Sequence, residues 1–162
     1  MIGNRSPGRV ALRRARLDDM GIVFNWRNDP FILDRSSSRK AVGEAEHERW
    51  FTRMISDPDC LFFIIELDGI PLGQIRLERE TPEQCVVSIY LVESQTGHGH
   101  GPASIRLARE AAWQTWPVKR IVAQVRDDNL PGQRAFAAAG FERVNIATPI
   151  ASHRSFVSTR NP

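Results

Sequence analysis

The segment from Ser88 to Trp116 constrains this chain more than any other. An apolar run, Ser88-Ile89-Tyr90-Leu91-Val92, passes into Gly97-His98-Gly99-His100-Gly101. Pro102 then opens a stretch whose apolar residues Ile105, Ala108, Ala112, Trp113 and Trp116 recur at helical spacing. Glycine reaches backbone angles closed to other residues, so successive N–H groups can turn to one side. Proline suits the first helical position because its missing N–H has no partner there. The combination predicts a strand, an anion-accepting loop and a helix, in that order.

Hydrophobic period assigns the other elements. Val10 to Ala15 suits a first strand, and Asp18 or Asp19 caps a short helix carrying Ile22, Val23 and Trp26, with Pro30 closing it. The Ser36-Ser37-Ser38 tract reads as a loop. Trp50, Phe51, Met54 and Ile55 place a second amphipathic helix over Glu44 to Ile55. Leu61 to Leu67 is an apolar run broken only by Glu66, Asp68-Gly69 is a hairpin turn, and Pro71 to Glu80 returns. Strands over Val86 to Val92, Lys119 to Arg126 and Phe141 to Ala147 enclose helices over Pro102 to Trp116 and Leu130 to Ala139. Gly140 is placed for a left-handed helix end, and Ser155 to Ser158 offers a closing strand. The order β-α-α-β-β-β-α-β-α-β(-β) predicts an α/β (α+β) fold, a mixed, twisted central sheet flanked by helices.

With 162 residues, 41% of them hydrophobic and 25% charged, the chain reads as one globular domain over residues 10–162 behind a flexible extension over 1–9. No stretch reaches the ~20 apolar residues of a membrane span, and none has signal-peptide character. Cys60 and Cys85 are too few for a disulfide framework or a zinc cluster, which fits a reduced, cytoplasmic compartment. The net charge is +3 and, with Lys40 and Lys119 the only lysines, the positive charge is nearly all arginine. The arginines are scattered, apart from Arg13, Arg14 and Arg16 and the group Arg35, Arg39 and Lys40. Neither nucleic acid nor membrane is therefore the expected partner; a small molecule is, for a monomer or homodimer.

Three phosphate-binding patterns compete for the glycine loop. The dinucleotide fingerprint needs glycine where Ser104 stands, and the P-loop needs a Gly-Lys-Ser/Thr ending that is missing. A coenzyme A pyrophosphate loop fits best, against the plain alternative of a tight turn without a ligand. Here the chain resembles the GCN5-related N-acetyltransferase (GNAT) superfamily, whose acetyl-CoA loop reads Arg/Gln-x-x-Gly-x-Gly/Ala between the fourth strand and third helix. Gly99 and Gly101 match, with Thr96 where Arg or Gln is usual. Asn129, followed by Ala135-Phe136-Ala137-Ala138-Ala139-Gly140-Phe141, resembles the family's Asn, helix and Gly-Phe ending. The resemblance implies acetyl-CoA as co-substrate, with no metal. By it, backbone groups of Leu91 and Val92 hold the pantetheine arm, and Thr96, Gly97, His98, Gly99, His100, Gly101, Pro102 and Ala103 surround the pyrophosphate. Asn129 and Phe136 lie beside the cofactor. His98 and His100, two ligands without a third, make a poor metal site.

Asn25-Trp26-Arg27-Asn28-Asp29-Pro30 and Glu46-His47-Glu48-Arg49-Trp50-Phe51 resemble the Trp-Arg-Asn and His-x-x-Trp-Phe segments of family members that acetylate amines of nucleotide-linked sugars. This implies an acceptor site of Trp26, Arg27, His47 and Trp50, with Tyr90 and Gln124. The competing reading makes Trp26, Trp50 and Phe51 helix-packing core. Many members place Glu near the end of the fifth strand and Tyr twelve residues later; this chain has Gln124 and Phe136, which exchange no proton. Tyr90 and His47 are then the candidate catalytic groups, with Glu83 a base only if it faces the cleft and His153 unplaced. The expected activity is transfer of acetyl from acetyl-CoA to a primary amine by direct attack. A nucleotide-linked amino sugar is the first acceptor and a protein N-terminal α-amine the second. A non-catalytic acyl-CoA-binding module is the reading from another class.

Overall fold

The computed structural model describes residues 8–145 and 150–162. Along the chain come β1 (Val10–Arg14), α1 (Met20–Arg27), α2 (Pro30–Arg35), α3 (Glu44–Ser56), β2 (Cys60–Leu67), β3 (Ile70–Thr81) and β4 (Gln84–Leu91). Then follow α4 (His100–Thr115), β5 (Arg120–Arg126), α5 (Leu130–Ala138), β6 (Glu142–Val144) and β7 (His153–Thr159). Residues 1–7 of the expected extension, and 146–147 of the strand expected after Gly140, lie outside the described residues.

All seven strands join one sheet, in the order β1-β2-β3-β4-β5-β7-β6. β4 and β5 are parallel and every other pair is antiparallel, so the sheet is mixed, as expected. Its two faces are covered by different helices. Leu61, Phe63 and Ile65 of β2 belong to the core beneath α4, whereas Cys60, Phe62 and Ile64 belong to a second core with Val23, Trp26, Phe51 and Met54 of α1 and α3. A strand buried on both faces does not alternate, which is why Leu61 to Leu67 reads as an unbroken apolar run. The hairpin that follows turns on Asp68 and Gly69, with φ of +52° and +80°, the backbone of a two-residue turn matched to strand twist.

Four local expectations change. Pro30 opens α2 instead of merely closing α1: Asp29 caps the new helix, its Oδ1 accepting the Phe31 N–H at 2.9 Å. Asp19 makes no side-chain cap to α1, because its carboxylate accepts the Arg16 N–H at 2.8 Å and the Arg13 guanidinium at 2.7 and 2.8 Å. Pro102 is the third residue of α4, with Gly99 as N-cap; it is still in the first turn, where N–H groups have no intrahelical partner. The closing strand is longer than expected, and it inserts between β5 and β6.

Candidate active site

The site begins where the sheet comes apart. β4 and β5 pair only over Gln84, Cys85 and Val86 with Arg120, Ile121 and Val122. Beyond them the strands part, and Ser88 to Leu91 faces Gln124 to Arg126 across a gap. Val92 lies past the end of β4 with both backbone groups engaged: its N–H donates to Leu72 O at 2.9 Å, and its carbonyl accepts from Gln95 N at 3.0 Å. Hydrogen-bonding direction alternates along a strand, so of the expected pair it is Leu91 that turns its backbone toward the gap.

Above the gap, Thr96 closes a short helical turn over Glu93–Gln95, its hydroxyl donating to Glu93 O at 2.8 Å. Gly97 and Gly99 follow with φ of +77° and +81°. These left-handed residues turn the chain into α4, whose first N–H groups form a positive helix end suited to an anion. A Cβ on Gly101 would stand 3.6 Å from Ala135 Cβ and 3.9 Å from Leu91 Cδ1, so the loop lies close against both α5 and β4. The loop can seat a pyrophosphate and the gap an extended pantetheine arm. The His98 and His100 rings are 6.0 Å apart, and no metal-holding group of three or more ligand residues occurs among the described residues.

On the α1–α3 side, the parted strands floor a cavity of about 470 Å³. Ser88 and Tyr90 of β4 lie beside Arg76 and Gln74 of β3, their cross-strand partners. Arg27, Trp50 and Gln124 also line the cavity. Arg27 Nη1, Gln74 Oε1, Ser88 Oγ and Tyr90 Oη are buried without a hydrogen-bond partner, and all four belong to residues lining this cavity. Such groups cost roughly 1–3 kcal/mol each when left unpaired, a cost that a polar ligand reaching them would offset.

A family model of the acetyltransferase (GNAT) domain matches residues 9–142. The chain belongs to the GNAT family. No curated protein matches its sequence at a significant level. Among solved structures, the aminoglycoside acetyltransferase AAC(6')-Ib in complex with ribostamycin and coenzyme A is similar, with TM-score 0.83, 23% identity and 93% of each chain covered. Spermidine N-acetyltransferase from Vibrio cholerae, in complex with CoA and spermine, gives TM-score 0.81 and 15% identity over 93% of this chain and 95% of the other. Mycobacterium smegmatis RimJ in complex with CoA-disulfide gives 0.75 and 21% over 95% and 86%. This chain is an acetyl-CoA-dependent N-acetyltransferase, and acetyl-CoA is its co-substrate.

Within this acetyltransferase the expected acceptor residues separate. Trp26 is 9% exposed and packs in the core, edge-on to the Tyr90 ring at 6.3 Å; for this residue the core reading holds. Trp50 lines the cavity and carries the Arg76 guanidinium over its ring at 4.9 Å. His47 also reaches the cavity, but its ring is packed by Phe24, Trp50 and Phe51 at 5.3–5.8 Å, and Nε2–H donates to Met20 O at 3.2 Å. Desolvation lowers its pKa despite the Met20 carbonyl, with Arg27 adding to the fall, so the ring stays neutral. Tyr90 keeps its proton as well: burial pushes its pKa up more strongly than Arg76 and Arg27 pull it down.

Gln124 accepts from Ser155 Oγ at 3.0 Å, and Phe136 stacks on Phe156 and meets Phe141 edge-on, at 6.3 and 5.2 Å. Asn129 caps α5, its Oδ1 accepting Gly132 N–H at 3.1 Å. Glu83 is no cleft base: it sits in the β3–β4 turn, exposed and paired with Lys119 at 2.5 Å. His153 supports the serine loop; its Nδ1–H donates to Ala151 O at 2.8 Å, so Nε2 accepts from Ser37 Oγ at 3.1 Å. Sequence reasoning missed Gln74, Arg76 and Ser88. Their only signal was polar residues alternating along otherwise apolar strands.

Proposed function

We propose that this acetyltransferase moves the acetyl group of acetyl-CoA onto a primary amine of a nucleotide-linked amino sugar. What carries the reading is the continuity of gap and cavity: Ser88, Tyr90, Gln124 and Arg126, from the two parted strands, also line the cavity. An amine held there lies beside the place the gap offers a thioester. Arg27 and Trp50, which carry the resemblance to nucleotide-sugar enzymes, line the same cavity and suit a phosphate and a stacked ring. The amine nitrogen bonds to the thioester carbon, the C–S bond breaks, and the proton lost by nitrogen is balanced by one gained at the leaving sulfur. Tyr90, protonated and unpartnered, is the group proposed to supply that proton. Holding amine and thioester in attack geometry contributes about 7–11 kcal/mol, whereas a positioned acid or base is worth roughly 10²- to 10⁴-fold.

With Gln124 and Phe136 at the usual acid–base positions, the enzyme depends on amine that is already neutral. A lysine amine, pKa about 10.4, is neutral in about 0.04% of molecules at pH 7, and an α-amine, pKa about 7.7–8.0, in roughly 10–17%. Acceptors of low basicity are therefore expected, with kcat/KM rising with pH until the acceptor amine is deprotonated. Release of CoA thiol over UDP-linked amino sugars, peptide α-amines, lysine peptides and polyamines checks this. Faster turnover of lysine peptides or polyamines than of every amino sugar would overturn it. Burial pushes the thiols of Cys60 and Cys85 up to about 11 and about 12, which leaves CoA as the thiol such an assay reads.

A further inference from the structure

The charge on the cavity wall is one-sided. Among the described residues it is lined by Arg27, Arg35, Arg76 and Arg126, with Glu46 as the single acid. Arg126 spends both Nε and Nη2 on Asp128, at 3.0 and 3.3 Å, and Arg35 lies over the Phe31 ring at 3.7 Å with Nη1 donating to the Phe31 carbonyl at 3.1 Å. Arg27 and Arg76 are different. Arg27 has no carboxylate within 4 Å among the described residues; Nη2 donates to Ser38 Oγ at 3.2 Å and Nη1 is buried without a partner. Arg76 spends only Nε on Glu78, at 3.0 Å, and lies over the Trp50 and Phe62 rings at 4.9 and 5.9 Å, which orients the guanidinium on the cavity wall.

We propose that Arg27 and Arg76 form a clamp that selects acceptors carrying an anionic oxygen group, a phosphate or a carboxylate, beside the amine. Beside the clamp, Gln74 Oε1 and Ser88 Oγ stand unpartnered, and Gln74 is only 2% exposed. They complement the hydroxyls of a sugar ring. A planar guanidinium with free N–H groups pairs with an anion in two-point geometry, and a polycationic acceptor would instead meet like charge. The clamp rests on the reading of this cavity as the acceptor site and narrows that reading to acidic amines.

The full chain with acetyl-CoA is assayed on matched pairs: glucosamine against glucosamine 6-phosphate and UDP-glucosamine for phosphate, and glucosamine against muramic acid for carboxylate. At least one acidic member should exceed its neutral counterpart tenfold or more in kcat/KM, and which one does so identifies the anion. Arg76→Met and Arg27→Met should raise KM for that acceptor at least tenfold and shrink the acidic-over-neutral preference, with CoA affinity within twofold of wild type. Arg76→Lys should restore part of the preference. Calorimetric titration of the same acidic sugars into CoA-saturated protein reads the clamp without turnover. If they bind, and Arg76→Met weakens binding tenfold, but no amine is acetylated, the clamp stands and the proposed function falls. Equal turnover of acidic and neutral amines, no binding of either anion, or a preference that survives both Met variants overturns the clamp.

Discussion

His47, 3% exposed among aromatic rings, has a pKa lowered by desolvation below its ordinary 6.5. The folded state therefore binds a proton less readily than the unfolded chain. The stability linked to His47 is intact above about pH 6.5 and is lost as pH falls from there toward the lowered value. The melting temperature should drop between pH 7.5 and 5.5, and His47→Gln should flatten that drop; an equal drop in both proteins would remove His47 as the cause. The His-x-x-Trp-Phe spacing was legible along the sequence, but the function of each residue was not. One helical face presents His47 and Phe51 to the core and Trp50 to the cavity wall. Trp26, equally prominent in the sequence, packs wholly into the core. Helical spacing says which residues share a face, not what lies opposite.

The loop into α4 is the element whose chemistry was most readable, because its glycines answer a local backbone demand. They do so in two ways. Gly99 has φ of +81° and open space around a would-be Cβ, so Gly99→Ala suffers backbone strain alone, about 1–2 kcal/mol. At Gly101, where φ is unremarkable, a Cβ would make only ordinary contacts at 3.6 and 3.9 Å. Gly101→Ala should melt within about 0.5 kcal/mol of wild type. Gly101→Val, by crowding the approach to the helix end, should raise the Kd for CoA at least tenfold, about 1.4 kcal/mol. Thermal melts and calorimetric CoA titration separate the two effects, and unchanged CoA affinity in a folded Gly101→Val protein would refute the loop's assignment. At α5 the Asn129 amide is occupied as a cap, a function that Asn before Leu130-Pro131 signals locally.

At the scale of the whole sheet, four strands and three strands meet at a short seam, the Gln84–Val86 ladder with Arg120–Val122. The seam is short because the strands must part to open the gap. The rest of the connection is the core beneath α4, where Ile105, Ala108 and Ala112 pack with Leu77 and Cys85 of the first group and Ile121 and Ala123 of the second. Two bridges cross on the cavity side, Ser37 to His153 and Arg39 to Asp128, the latter exposed and worth little by itself. One shared core predicts one calorimetric unfolding transition, with van't Hoff and calorimetric enthalpies in agreement. Two separated transitions would show the halves to be independent. β7 pairs with β5 along seven positions and buries Phe156, so a chain ending at residue 150 should not fold, as far-UV circular dichroism would record.

The acetyl-CoA chemistry was implied by the resemblance to the GNAT family that the loop and the Asn129 segment carry. The hairpin at Asp68-Gly69, the glycine loop and, α2 apart, the order of elements followed from the sequence alone, on local demands: hydrophobic period, left-handed backbone at glycine, and N–H groups at a helix start. Non-local pairing decided the rest. Val92 spends its N–H on Leu72, β7 enters between β5 and β6, and Gln74, Arg76, Ser88 and Tyr90 meet on one face because β3 and β4 pair in that register. A slip of one residue between the two strands would send Ser88 and Tyr90 to the face beneath α4 and leave Gln74 and Arg76 without them. The acceptor wall is thus a product of strand register, set by residues far apart in sequence, and only the folded sheet brings it together.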